Sequence, residues 1–272
     1  MQGMRAPLLL LFWSLALASC TTTLTHDAWH TRLAHWAEGG MEALLLGEQH
    51  DAPEHQHWQA ATLHWLHAQG KLAAVVLEMA ENGTSTAGLA PSASEDDVRA
   101  ALRWNAAAWP WQTYAPVVMA AVAANTPVYG GNLPRQHMHT AMQDSQWDTR
   151  LPQAAWQRQR QAIHTGHCHM LPEAQITPMT RIQLARDASM ARAVTAALAA
   201  RTAQRGVVVL IAGSAHVQRD LGVPVWLPAS APIKVAIAHA GEGGQALLAD
   251  HIYTTPARPA RDYCSELRGR AR

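Results

Sequence analysis

Residues 43–79 read ALLLGEQHDAPEHQHWQAATLHWLHAQGKLAAVVLEM. The apolar run Ala43 to Leu46 ends on a polar cluster, a helical pattern follows from Glu54 to Gln69, and Ala73 to Leu77 is apolar again. Continuous apolar runs, as opposed to alternating ones, suit strands of a parallel sheet whose two faces are both covered. Further runs at Pro127 to Tyr129, Val207 to Ala212 and Ile233 to Ala238 read as strands. Helical patterns occupy Ala115 to Asn125, Arg135 to Ser145 and Pro178 to Gln204. This alternation predicts an α/β fold: a mostly parallel sheet flanked by helices, with an added helical region.

The first helix has a start signal. Asp51 is positioned to serve as N-cap, Pro53 falls in the first turn and Glu54 sits at the capping-box position. Trp58, Ala61, Thr62, Trp65 and Leu66 form the predicted buried stripe. His57, His64 and His67 fall on another face, and seven residues of helix separate His57 from His64 by about 10 Å, too far for one ion. Residues 80–97 are small, polar and rich in Gly, Ser and Pro, which predicts a loop or lid. The tail after Thr254 reads as a frayed terminus, and no internal repeat is visible.

With 49% apolar residues and a formal net charge of +1, the chain should fold around a core. It carries no basic stripe, so nucleic acid is not an expected partner. The N-terminus reads MQGMRAPLLLLFWSLALASC, with Arg5 ahead of an apolar run, Leu8 to Ala18, too short to span a bilayer comfortably. Leu17-Ala18-Ser19-Cys20 looks like a bacterial lipobox, the alternative being an ordinary secretory signal in which Cys20 is incidental. The lipobox reading makes residues 1–19 a signal peptide and Cys20 the lipidated residue, anchoring the protein outside the cytoplasm to a bacterial membrane, the outer one expected. It leaves residues 20–35 as a tether, 36–236 as the main domain and 237–272 as a C-terminal strand and tail. Cys168 and Cys264 then remain, paired or free.

Ligands of open parallel sheets collect beyond the carboxyl ends of the strands. Three strand ends here carry chemistry: Glu48 and His50 after the first strand, Glu78 in VVLEM, and His216 in the GSAH that closes the late strand. If those strands are neighbours, the four side chains converge. They would suit a divalent metal or a metal-free acid–base set; capping and loop hydrogen bonds are the plainer use. Gly213-Ser214-Ala215-His216 does not match the GxSxG of a serine elbow. HMH at 137–139 falls in a helix, where paired imidazoles diverge. GHCH at 166–169 falls in a loop and remains a possible metal tract. WNAAAWPWQTY at 104–114 could wall a flat aromatic ligand or simply pack the core.

LLLGEQHDAPEHQHWQ, VVLEM, WPWQTYAPVV, NLPR at 132–135, MTRIQLARDASMA at 179–191 and VVVLIAGSAHVQRDLGVP at 207–224 occur in this order. Together they resemble the ChaN family of iron-regulated, haem-binding lipoproteins, part of a superfamily shared with Tiki, TraB and erythromycin esterase-like proteins. The resemblance implies an α/β fold and haem binding in iron uptake outside the cytoplasm, with a tyrosine on the iron and haem held at a homodimer contact. Tyr114, Tyr129, Tyr253 and Tyr263 are the tyrosines present, and Tyr114 lies inside a matching motif. His167 and His169 are further candidates for the iron, and Arg135 for a haem propionate. The hydrolytic members imply the alternative: a periplasmic ester or amide hydrolase, metal-dependent or not, working through Glu48, His50, Glu78 and His216.

Overall fold

A computed structural model describes residues 27–201, 206–244 and 247–270. The signal region and Cys20 lie outside the described residues. By its contacts the chain divides into Met1–Gly39 and Gly40–Arg272. In the first unit, residues 27–38 form helix α1, which starts within the 20–35 stretch expected as a tether and runs past its end. Trp29 and Trp36, seven residues apart, share one side of it edge-to-face at 5.8 Å.

The second unit is built on six strands. They are β1 (Ala43–Glu48), β2 (Leu72–Glu81), β3 (Val128–Asn132), β4 (Val207–Gly213), β5 (Ile233–Ala240) and β6 (His251–Thr255). They form one sheet in the order β3-β2-β4-β1-β5-β6, and every pairing is parallel. The β1 leucines lie opposite β4 and β5, Leu45 against Leu210 on one side and Val235 on the other. All six residues of β1 are buried, as its unbroken apolar run requires. Gly47 interrupts that run for lack of space: a Cβ there would fall 2.5 Å from Val217 Cγ2.

Helices cover both faces. On one, α7 (Glu173–Ala199) lays Met190, Ala191, Val194 and Ala197 over Leu45, Val76, Val208 and Leu210. On the other, α2 (Pro53–Ala68) and α4 (Trp111–Ala123) pack on each other and on the strands, over Leu44, Leu46, Val75 and Leu77, all fully buried. At roughly 1.5–3 kcal/mol for each large side chain withdrawn from water, these two layers are the main source of stability. The added helical region is α5 (Arg135–Gln143) and α6 (Gln153–Gly166), both packed on α7. Leu151, Trp156, Leu184 and Leu221 form its small core.

Four expectations need correction. Ala52, not Asp51, is the N-cap of α2, and no side chain caps it. Pro53 opens the helix and its ring forces the preceding residue into an extended conformation, so the frame shifts by one; Asp51 pairs instead with Arg258 at 2.5 Å. The second strand does not end at Glu78 but continues to Glu81 through an irregularity in its pairing with β3. The stretch 80–97 contains the start of α3 (Glu95–Ala101), where Ser94 and Asp97 form a reciprocal capping box. Nor is the tail after Thr254 without structure over its described residues. β6 joins the sheet, with Tyr253 stacked on Trp58 at 4.9 Å, and α9 (Tyr263–Arg270) is tied to the α6–α7 turn by a Cys168–Cys264 disulfide. Among the described residues no helix is long and apolar enough to cross a membrane.

Candidate functional site

The order β2-β4-β1 makes the three chemistry-bearing strands neighbours. Glu48 closes β1 opposite Gly213, the last residue of β4, and the short helix α8 (Ser214–Val217) carries His216 on from there. Glu48, His50, Glu78 and His216 therefore meet at one rim.

Glu48 is buried and fully used. Its Oε1 accepts from His50 Nδ1 and from the Tyr114 hydroxyl, each at 2.8 Å. Its Oε2 accepts from Gln56 Nε2 at 2.9 Å and Gln59 Nε2 at 2.7 Å. Four donors on one carboxylate fill its lone-pair directions. The two glutamines lie three residues apart on the face of α2 turned toward the sheet, which is why they are buried. Tyr114, in the first turn of α4, is buried too. Burial, and the Glu48 carboxylate beside it, push its phenol far above the ordinary tyrosine range, so the hydroxyl stays protonated and donates.

Glu78 anchors the second half. Its Oε2 accepts the Gly213 N–H at 2.7 Å, and its Oε1 lies 3.2 Å from His216 Nε2. The Arg186 guanidinium is 3.6 Å away. Burial alone would raise this carboxyl, but the charges of His216, His50 and Arg186 prevail and hold it well below the usual range. His216 is buried between two acids, with Nδ1 donating to Asp187 and Nε2 to Glu78. Burial works against its charge, yet the paired carboxylates push the imidazole up to about 10, so it is an imidazolium at neutral pH. Burial also pushes the Asp187 carboxyl up to about 6, against the opposing pull of His216.

His50 joins the two halves. Its Nδ1 is on Glu48 and its Nε2 is 3.8 Å from Glu78 Oε2, while 39% of its side chain remains exposed. Burial would lower its pKa, but the hydrogen bond to Glu48 and the charges of Glu78 and Glu48 raise it. Trp109 closes over the ring edge-to-face at 4.9 Å and meets Tyr114 at 6.0 Å. The tryptophan segment is thus a wall of this rim. Deeper in, His55 accepts the Gln49 N–H at Nδ1 and pairs through Nε2 with Thr255; burial lowers it to about 4, so it is a neutral bracket.

Beside the rim, past the ends of β2 and β3, lies a cavity of about 360 Å³. Trp109, Leu133 and Met138 supply apolar wall; Arg103, Arg135 and Arg186 supply positive charge, with Glu78 and Glu81 also on the lining. Arg135 is exposed at the start of α5, its backbone N–H held by Glu81 at 3.0 Å. Arg186 reaches it through Asn132, donating to Oδ1 at 2.9 Å.

The remaining candidates fall elsewhere. His167 and His169 occupy the α6–α7 turn, and among the described residues no hydrogen bond, ion pair or ring contact joins either to the rim. His137 and His139 are exposed on α5. Tyr129, half-buried, lines a separate recess beside the alanines of α7, and Tyr263 is exposed on α9. Sequence reasoning missed Gln56, Gln59, Arg186 and Asp187. Their signal was polar residues on otherwise buried faces: Gln56 and Gln59 three residues apart on α2, and Asp187, with Arg186 beside it, on α7.

A divalent metal has no ready seat at the rim. The donors point at one another, and among the described residues no three His, Cys, Asp or Glu side chains are arranged to hold an ion. What the geometry defines is a parallel α/β protein with a prearranged charged cluster and an arginine-edged apolar recess at its strand ends. The chain belongs to the family described as haem-binding uptake, Tiki superfamily, ChaN, whose sequence profile matches residues 39–227. Its fold is shared with a Campylobacter jejuni ChaN described as binding haem cofacially, at a TM-score of 0.61 and 22% identity, covering 74% of this chain and 83% of that one. No curated protein matches the chain.

Proposed function

We propose that this is a lipid-anchored, extracytoplasmic haem-binding protein of iron uptake, and that haem lies against the recess beside the rim. The observation that carries the reading is the recess itself, apolar on Trp109, Leu133 and Met138 and edged by Arg103 and Arg135. Its volume is at the small end for ligand sites, so a porphyrin would lie across the mouth with one face on Trp109. Forked guanidinium groups suit propionates. Bound haem would supply a redox-active iron open to axial ligation.

Tyr114 is a poor fit for the iron, because its hydroxyl is buried and spent on Glu48. His50 fits better: a carboxylate on Nδ1 is the usual support of a metal-ligating imidazole, and its ring is part-exposed beside Trp109. The relative's cofacial haem binding brings the homodimer into the proposal, since stacked haems require two facing recesses. The disulfide supports an oxidising compartment, in keeping with the lipobox at Cys20.

A haemin titration of the full-length chain in detergent tests the reading. A saturable Soret shift is expected, lost in His50→Ala and weakened about tenfold in Arg135→Gln, on the scale of one charge-assisted hydrogen bond. Absorbance that rises without saturating would refute it.

The meeting of Glu48, His50, Glu78 and His216 at one rim favours a second reading, metal-free hydrolysis of an ester or amide. Against it, Ser214 donates to the Glu48 carbonyl, and both carboxylates are already engaged by protein donors. Turnover of a periplasmic ester that disappears in Glu48→Gln would establish it.

A further inference from the structure

Helix α6 ends in a cap of the Schellman type. The Cys168 N–H bonds to the Thr165 carbonyl at 2.8 Å, and the His169 N–H to the His164 carbonyl at 3.0 Å. Such caps place a left-handed residue, usually Gly, just past the helix, and bring together the side chains that flank the longer bond, usually as an apolar contact. Both habits are broken here. Cys168 takes the left-handed position at φ 57°, and His169 follows at φ 58°. The side chains brought together are imidazoles.

His164 and His169 meet edge-to-face with ring centroids 4.4 Å apart, and their Nδ1 atoms are 3.2 Å apart. Two imidazole nitrogens at that distance need a proton or a metal ion between their lone pairs. With metal–nitrogen bonds of about 2.0–2.1 Å, this separation subtends roughly 100° at the metal, between the square-planar and tetrahedral angles. The Cys168–Cys264 bond holds the turn covalently in addition to the cap, so the donors are fixed before an ion arrives. His167 is turned away, its Nδ1 on the Ile163 carbonyl at 2.8 Å. Glu173, which lines the same recess as His164, is paired with Arg160.

We propose that His164 and His169 form a bidentate surface site for an imidazole-preferring divalent transition metal, binding Cu(II) most tightly of the first-row ions. Solvent completes the coordination. The site is independent of the haem recess and does not rest on that reading.

The test is Cu(II) titration of the full-length, haem-free chain in detergent against glycine as competitor, followed by calorimetry and by electron paramagnetic resonance. Asn accepts the left-handed region, so His169→Asn keeps the turn, and His164→Gln keeps the helix; circular dichroism checks both. Either substitution should weaken the tightest site at least tenfold, and the double variant should lose no more than the singles, because a chelate fails when either arm is removed. His137→Asn should leave that site unchanged. Single-variant losses below threefold, or losses that add in the double variant, would overturn the proposal and leave the pair as a helix cap.

Discussion

Replacing Glu78 by Gln removes one negative charge from a buried set that also contains His216, Asp187 and Arg186. Breaking a buried pair by deleting one partner costs about 3–5 kcal/mol. The lower end applies here, because Gln keeps an oxygen for the Gly213 N–H and His216 keeps Asp187. About 3 kcal/mol corresponds to a melting point lower by roughly 6–12 °C in a protein of this size. The pH dependence follows from both partners. His216 is raised from 6.5 to about 10, so its stabilisation is complete below pH 6.5 and is lost as pH rises toward 10. Glu78 is depressed from its ordinary 4.5, so its stabilisation is present above pH 4.5 and is lost as pH falls through the folded-state value. The gap between wild type and Glu78→Gln should therefore be widest between pH 4.5 and 6.5 and narrow toward pH 10. Tryptophan-fluorescence melts at pH 6 and pH 10 measure it. Equal melting points at pH 6, or a gap of the same size at both values, would refute the ion-pair account.

Three further outcomes follow from the site and the turn. Tyr114→Phe should leave the Soret band of the haem complex in place while lowering urea stability by about 1–2 kcal/mol through the lost hydrogen bond to Glu48; a shifted band would make the phenol the iron ligand. Gly213→Ala would put a Cβ 2.8 Å from His50 Nε2 and 3.5 Å from Glu78 Oε2. The ring can swing away, so haemin affinity should fall about tenfold while stability changes by about 1 kcal/mol or less, the cost of a rotamer adjustment; unchanged affinity would remove His50 from the haem site. The Cys168→Ser, Cys264→Ser double variant opens a crosslink spanning 96 residues and should lose up to ~4.7 kcal/mol in urea unfolding, the chain-entropy figure for such a loop. A loss under about 1 kcal/mol would contradict that figure.

Much of this architecture was legible because the strands are short, apolar runs ended by polar residues. All five expected strands are present, and the convergence of Glu48, Glu78 and His216 required only that β2, β4 and β1 be neighbours. β6 was hidden because HIYTT, at an edge, needs no unbroken apolar run. Helix α6 was hidden by its polar composition: QAAWQRQRQAIHTG buries only Ala155, Trp156 and Gln159. The roles of Gln56, Gln59, Arg186 and Asp187 were hidden for a different reason. A buried polar residue on a helix resembles a surface one until the partner it satisfies is known, and their partners lie on other elements. The disulfide was undecidable from spacing, since nothing local brings residue 168 to residue 264.

The strand order also bears on how the molecule comes into being. β1 has β4 and β5 as its partners, more than 160 residues downstream, and the parallel sheet offers no hairpin from which to start. Pairings of such long sequence separation close slowly, since loop entropy is spent before any contact repays it. The charge on Glu78 deepens the delay, because two of its partners, the Gly213 N–H and the His216 imidazolium, lie downstream of residue 207. A nascent or threaded chain that stops short of residue 207 can pair β2 with β3, but it lacks both partners of β1 and the second neighbour of β2. The same arrangement that gathers the rim from distant segments leaves β1 unpaired until β4 has arrived.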